Sequence, residues 1–394
     1  MRTPFLPLLI AFLIAAGIDC YLYFAIQRLA LRRFWSELQL WSAVLCLLVI
    51  IGLFVAPKKS ISEEGFRVLM WIIFVLCSIY VPKAITVIFD LVSSIPKIWS
   101  AGRWIWLDYT GVVLASLSFL MMWWGAFINR YRLHIKDVDI EITSLPKSFD
   151  GYRIAQISDL HVGSFASDTM FVSKLVDSIN AQNADIIVFT GDIVNRSTSE
   201  LEPFLKTLSR LHARHGVYSV LGNHDYGDYN TWPSVQAKKD NLRQLVQWQR
   251  EIGWHVLNNS TRWLRHGNDS IALIGVENVG DPPFRTYGDL RKAYPDISDL
   301  NTKILLTHNP AHWVADLSDN PSANIALTLS GHTHAMQMEL FGLSPAALRY
   351  PTWGGLYTDS IGRYLYVNIG CGEVGFPARI GATPENTILT LRRK

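Results

Sequence analysis

The sequence predicts a chain in two parts: an N-terminal four-helix transmembrane region over residues 1–130, then an α/β domain over residues 131–394. Three observations carry this. Hydrophobic residues make up 49% of the chain, and they crowd into the first third. After about residue 130, short apolar runs alternate with amphipathic ones, the order expected of α/β layers. Finally, small polar clusters of Asp, His and Asn repeatedly follow the apolar runs.

Residues 5–26 form one apolar stretch interrupted by Asp19, long enough to cross a hydrocarbon core as a helix. Residues 40–55, 68–89 and 110–127 supply three more spans. Trp35, Trp41, Trp104, Trp106, Tyr109, Trp123 and Trp124 gather near their ends, as interfacial aromatic belts do. A cleaved signal peptide is the competing reading of the first stretch. Its length, and the three spans behind it, favour a retained helix. Arg2, Lys58, Lys59, Arg67, Arg130, Arg132 and Lys136 fall on one side of this arrangement, and Arg28, Arg32, Arg33, Lys97 and Arg103 on the other. The excess of basic residues predicts that both ends of the region lie in the cytoplasm. Asp19, Lys83, Asp90 and Asp108 sit in or near the spans. Asp90 and Asp108 are expected at interfaces, and Lys83 to snorkel beside Pro82.

The net charge of +3 gives no basic surface for nucleic acid. Cys20, Cys46 and Cys77 lie in apolar segments and Cys371 alone in the polar part, so no disulfide framework is expected.

In the second part, strands are predicted over residues 131–142, 153–158, 184–190, 216–221, 254–257, 271–276, 303–307, 324–330, 364–368 and 386–391. Helices are predicted over residues 168–180, 202–212 and 241–252. Five polar clusters follow strands: Ser158-Asp159-Leu160-His161, Gly191-Asp192, Gly222-Asn223-His224-Asp225, Thr307-His308-Asn309 and Gly331-His332-Thr333-His334. Ligand sites in open α/β sheets gather at strand carboxyl ends, so the five can converge on one place. Their oxygen and nitrogen donors suit Mn, Fe, Zn or Co rather than a soft thiolate-bound metal. Two neighbouring cations need a shared anionic ligand, and Asp192 is a suitable bridge. Gly191, Gly222 and Gly331 permit sharp turns where side chains must crowd inward.

Taken in order, the clusters resemble the calcineurin-like metallophosphoesterase superfamily, whose pattern runs D-x-H, GD, GNH(D/E), H, GHxH. Within it, residues 131–394 are most similar to the YkuE/YaeI-type membrane-associated bacterial branch, through the run Gly151–His161 and the ending Pro377–Glu385. The resemblance implies two facing β-sheets flanked by helices. It implies that Asp159, His161, Asp192 and His334 bind one divalent metal ion, and Asp192, Asn223, His308 and His332 a second, with Mn favoured. His224 would then be catalytic, protonating the leaving oxygen, with Asp225 holding it in place. One departure stands out. That branch continues GHTH with Gly-Gly-Gln, where this chain has Ala335-Met336-Gln337, giving a bulkier floor beside the site.

The expectation is therefore a metal-dependent phosphoric ester or anhydride hydrolase anchored in a bacterial plasma membrane with its catalytic domain cytoplasmic. Its expected partners are the lipid bilayer and a phosphorylated, lipid-linked substrate such as UDP-2,3-diacylglucosamine, with no nucleic acid. Alternatives are a nuclease or cyclic-nucleotide phosphodiesterase on the same centre, and a transporter or sensor with a regulatory phosphoesterase-like domain. Outside the clusters, His312 lies four residues after His308 and can share its side of a short helix. Arg379 and Glu385 read as an internal ion pair. The aromatic residues between Tyr350 and Tyr357 can line the groove or cover a sheet edge.

Overall fold

The computed structural model describes residues 5–28, 33–55, 61–99, 102–282, 285–294, 301–320 and 324–394. Arg2, Arg32, Lys58 and Lys59, used above for orientation, lie outside them. The chain divides into two compact units, residues 1–124 and 125–394.

The first unit is helical. α1 (Phe5–Arg28), α2 (Arg33–Val55), α3 (Glu63–Ser94) and α4 (Ile105–Phe127) are each long and apolar enough to cross a membrane. α2 and α3 begin well before the apolar runs that announced them, because Arg33–Glu37 and Glu63–Arg67 form polar first turns. Ser62 caps α3: its Oγ accepts from the Gly65 N–H at 3.1 Å. Leu13, Leu45, Leu48, Val112 and Leu120 point outward, the solution for helices whose solvent is lipid. The polar residues of these helices face one another. The buried carboxylate of Asp19 accepts from Gln39 Nε2 (2.9 Å), Tyr80 OH (2.8 Å) and Lys83 Nζ (2.7 Å), which joins α1, α2 and α3. Lys83 therefore does not snorkel; pairing with Asp19 spares it the walk to the interface. Asp90 and Asp108 both accept from Arg103 at 2.7 Å.

The second unit is a sandwich of two six-stranded sheets with helices outside. Its strands are β1 (His134–Ile142), β2 (Arg153–Ile157), β3 (Ile186–Phe189), β4 (Val217–Ser219), β5 (Trp254–Val256), β6 (Ser260–His266), β7 (Asp269–Gly275), β8 (Lys303–Leu306), β9 (Leu327–Ser330), β10 (Gly355–Thr358), β11 (Tyr364–Val367) and β12 (Glu385–Arg393). One sheet runs β1-β12-β2-β3-β4-β5, the other β10-β11-β9-β8-β7-β6. β2, β3, β4 and β5 are parallel, as are β7, β8, β9 and β11. Ile154, Ile186 and Val188 of the first sheet meet Leu273, Ile304, Leu306 and Leu329 of the second in a shared apolar layer. The outer face of the first sheet is covered by α5 (Met170–Asn180), the single turn α6 (Leu205–Leu208) and α7 (Val235–Glu251). Another single turn, α8 (Leu290–Ala293), packs with Ile274 and Leu305 over the second.

Two local expectations are corrected. The helix expected over 202–212 is a 3-10 segment, Thr198–Phe204, followed by α6. Pro203 lacks the N–H that a continuous α-helix requires. Strands β6 and β10 were not anticipated, since each lies at a sheet edge with mostly half-buried or exposed side chains and so carries no apolar run.

Asn129 and Arg130, just past α4, are buried in the second unit. Asn129 Nδ2 donates to the Arg379 carbonyl at 2.9 Å, and Arg130 forms an ion pair with Glu373. Burial pushes the Glu373 carboxyl up to about 7, despite the neighbouring guanidinium groups of Arg130 and Arg379. Above that pH, removing one partner strands the other charge out of water. Glu373→Ala is expected to destabilise this unit by about 3–5 kcal/mol. Thermal melting of the detergent-solubilised chain at pH 8 checks this, and an unchanged melting temperature would refute it.

Candidate metal centre

Every sequence-predicted donor lies just beyond the carboxyl end of a parallel strand. Asp159 and His161 follow β2, Asp192 follows β3, Asn223 follows β4, His308 follows β8, and His332 and His334 follow β9. The two sheets thus present their loops at one edge of the sandwich. The loops turn sharply. Asp159, His161, Asp192, His332 and His334 all have φ between 43° and 76°, a left-handed backbone that costs a non-glycine residue of order 1 kcal/mol or more. Such strain persists where surrounding contacts over-determine it, as at functional sites. Space is equally tight. A Cβ on Gly331 would sit 2.2 Å from Asp159 Oδ2, and one on Gly222 would sit 2.2 Å from Asp192 Oδ1. Glycine at these positions lets backbone pass directly under a ligand carboxylate.

Two donor groups result. In one, His334 Nε2 lies 3.2 Å from Asp159 Oδ1 and 3.1 Å from His161 Nε2. In the other, His308 Nε2 lies 3.2 Å from Asp192 Oδ2, 3.2 Å from His332 Nδ1 and 3.0 Å from Asn223 Oδ1. Asp192 stands between them: the same Oδ2 is also 3.6 Å from His161 Nε2. Ring orientations are fixed from behind. His308 Nδ1 donates to the Thr190 carbonyl at 2.8 Å, which turns Nε2 into the site. His332 Nε2 lies 3.0 Å from the Tyr350 hydroxyl, which leaves Nδ1 facing inward.

Electrostatics fit a cationic guest. Burial alone would raise both aspartates, but the imidazoles offset it. His334 and then His308 hold Asp159 below the usual carboxylate range, and His308 and then His224 do the same for Asp192. Burial pushes His332 down to about 3 and lowers His161 and His334 as well, so these rings are neutral and able to donate lone pairs. His308 is the exception. Burial lowers it, yet Asp192 and Asp159 lift it to about 9. Neutral rings with lone pairs crowded at hydrogen-bond distance around two buried carboxylates fit divalent cations.

The comparisons with known proteins agree. Calcineurin-like phosphoesterase matches residues 152–336, and "Probable Calcineurin-like phosphoesterase, transmembrane domain" matches residues 1–130. An uncharacterized metallophosphoesterase of Helicobacter pylori is 30% identical over 290 residues, 72% of this chain and 70% of its own length. This chain belongs to the calcineurin-like phosphoesterases. Its relatives include a "Transmembrane protein with metallophosphoesterase domain" from Danio rerio, 31% identical over 266 residues. That match covers 66% of this chain and 57% of the fish protein, so the chain spans little more than half the length of that relative. YkuE of Bacillus subtilis, named an uncharacterized metallophosphoesterase, is 29% identical over 68% of this chain and 89% of its own.

In this phosphoesterase His224 stands apart from both donor groups. Its ring centroid is 4.8 Å from that of His161, and Nδ1 lies 2.7 Å from the Asn195 carbonyl. Tyr229 stacks on its face at 4.2 Å and accepts a hydrogen bond from Asn223 Nδ2 at 2.8 Å. Asp225 does not touch the imidazole. Its carboxylate accepts from the backbone N–H groups of Asp192, Gly222 and Ile193 at 2.9 Å and of Val194 at 3.3 Å. Asp225 therefore shapes the loop that carries Asp192, and the Asn195 carbonyl orients His224. Asn195 and Tyr229 escaped the sequence reading, because a backbone acceptor and an aromatic stack leave no motif.

Arg379 and Glu385 are both buried, but they do not pair with each other. Arg379 donates to the carbonyls of Gly372, Ala382 and Ile369 and lies 3.3 Å from His334 Nδ1. Glu385 accepts from Tyr366 and Thr387. Of the aromatic run, Tyr350 lines the centre through His332, while the Trp353 carbonyl accepts from Thr333 Oγ1 at 2.5 Å.

His312 joins neither donor group. It is buried, with Nδ1 3.0 Å from Thr307 Oγ1. Burial pushes it down to about 4, with Asp316 opposing. Between the unfolded value of about 6.5 and that folded value, the unfolded chain binds the extra proton. The stability that a neutral His312 supplies is thus present above pH 6.5 and is lost as pH falls towards 4, by up to roughly 3 kcal/mol. Urea denaturation across that range should show a shallower acid slope for His312→Gln than for the wild type. Equal slopes would refute the assignment.

Proposed function

We propose that this chain is a membrane-anchored hydrolase of phosphodiesters or pyrophosphates that works with two divalent cations, Mn favoured, on a lipid-linked substrate such as UDP-2,3-diacylglucosamine. The observation that carries the reading is the sharing of Asp192 by two converging donor groups with His224 beside them. Asp159, His161, Asp192 and His334 would hold one cation, and Asp192, Asn223, His308 and His332 the other. Bound cations supply Lewis acidity to the phosphate oxygens and bring water to a nucleophilic state near neutral pH.

The chain's own residues do the rest. Asp192 spaces the two donor groups and keeps both charges compensated. Thr190 and Tyr350 hold the His308 and His332 rings so that their other nitrogens face Asp192 and the second donor group. His224 gives a proton to the departing oxygen. Its Nδ1–H, fixed on the Asn195 carbonyl, keeps the ring oriented for the transfer. The membrane helices support a lipid-linked substrate by keeping the domain near the bilayer. The basic-residue count supports the cytoplasmic face of a bacterial plasma membrane.

The test uses the full chain purified in detergent, stripped with a chelator and reloaded with Mn, Fe, Zn or Co. Substrates are bis-p-nitrophenyl phosphate, p-nitrophenyl phosphate, phospholipids and nucleotide-linked glycolipids. Cation-dependent turnover with preference for a lipid-linked diester or pyrophosphate is expected. Near-equal rates on soluble and lipid-linked diesters would remove the lipid preference. Failure to bind any divalent cation would remove the whole reading.

A further inference from the structure

Between the last predicted metal ligand, His334, and Tyr350, the chain makes a loop whose outer face is apolar. Phe341 is 103% exposed, Leu348 94% and Leu343 76%, with Met336 and Leu340 also exposed. No charged residue occurs from Leu340 to Leu348. The tip is a tight hairpin. Leu340 and Leu343 exchange both backbone hydrogen bonds (2.9 and 3.0 Å), and Phe341 and Gly342 form the turn with φ of 53° and 77°. Two successive positive φ values favour Asn-Gly or Gly-Gly in such a turn. A phenylalanine held there, with its ring touching nothing, is a strained residue whose placement the fold does not repay.

The loop is anchored to the centre at both ends. Ser344 Oγ donates to the Ala335 carbonyl at 2.6 Å, and the Tyr350 hydroxyl meets His332. Only residues 128–133 separate α4 from β1, so the domain follows the last span directly in the chain. A fully exposed, uncharged Phe/Leu tip on a chain that also carries four helices of membrane-spanning length points to a low-dielectric partner. Apolar tips of this kind bury into the headgroup–acyl boundary.

We propose that the loop Met336–Leu348 seats in the bilayer that holds the helices, with Phe341 and Leu348 as its inserted residues, and so sets the mouth of the metal centre at headgroup level. This rests on the reading of the centre as a hydrolase of lipid-linked phosphoesters. It makes the substrate class a phosphodiester or pyrophosphate at the bilayer surface, presented without leaving the membrane.

The test places a photo-crosslinker at the tip, Phe341→p-benzoylphenylalanine, in the full chain reconstituted into vesicles of phosphatidylethanolamine and phosphatidylglycerol. Irradiation is expected to give adducts of lipid mass. Adducts with a second copy or another protein, or none at all, would overturn the proposal. A second arm compares the wild type with the Phe341→Ser/Leu348→Ser variant on two p-nitrophenyl diesters, one soluble and one carrying a dialkylglycerol anchor in the same vesicles. The variant is expected to lose about tenfold or more in kcat/KM on the anchored diester and nothing on the soluble one, since two large apolar side chains no longer bury. Equal losses on both would mark a structural role and refute membrane seating. Absence of wild-type turnover on either diester would instead sink the hydrolase reading, while the crosslink still decides the loop.

Discussion

Asp192→Asn is expected to empty both cation sites and to cut phosphodiester hydrolysis by roughly three orders of magnitude or more, the equivalent of several kcal/mol of lost charge stabilisation. The expectation follows from a single oxygen. Asp192 Oδ2 is 3.2 Å from His308 Nε2 and 3.6 Å from His161 Nε2, so it faces a donor from each group. The amide keeps the shape but removes the charge, and its nitrogen has no lone pair to offer. The other Asp192 oxygen accepts from the His224 N–H at 2.8 Å, a bond that the asparagine oxygen keeps when the amide nitrogen takes the cation-facing position. Asp225, with its four backbone donors, still fixes the start of the Asp192 loop, so the fold should survive. Elemental analysis of the dialysed variant beside its kcat tests this. Two equivalents of cation retained with activity lost would mean that Asp192 is not the shared ligand.

Much of this centre could be read from the residues, for a physical reason. Donors at parallel strand ends are chained to regular apolar runs, so β2, β3, β4, β8 and β9 could be placed and their trailing polar residues brought to one edge. Glycines before Asp192, Asn223 and His332 announced close passage, and the clashes a Cβ would meet there bear this out. What escaped lies where the recognising group is backbone or where burial is partial. The Asn195 carbonyl is available in any sequence, and the left-handed φ of Asp159 or His334 has no residue signature, since glycine would be the usual choice. Strands β6 and β10 sit at edges and lack the two-sided apolar pattern. In the membrane part the spans were plain, but the partner of Lys83 was not. The Asp19–Lys83 pair joins residues on separate helices, and only packing of α1 on α3 brings them to 2.7 Å.

His224→Ala separates proton transfer from cation binding, because the ring belongs to neither donor group and is held by the Asn195 carbonyl and the face of Tyr229. The variant is expected to keep its full cation content and to lose about 10²–10⁴-fold in turnover, the usual contribution of a positioned general acid. The loss should depend on the leaving group. A p-nitrophenolate, whose conjugate acid has a pKa of about 7, departs with little help, whereas an alkoxide needs the proton in the transition state. The ratio of wild-type to variant rate should therefore be small for bis-p-nitrophenyl phosphate and large for an alkyl diester. A purely structural role for the His224 ring, packed against His161 and Tyr229, would lower both rates equally and reduce cation occupancy. The backbone N–H that donates to Asp192 survives the alanine substitution, so only the loss of the ring is read by this pair of measurements. Equal loss on both esters would leave His224 as scaffold and require another proton donor at the leaving oxygen.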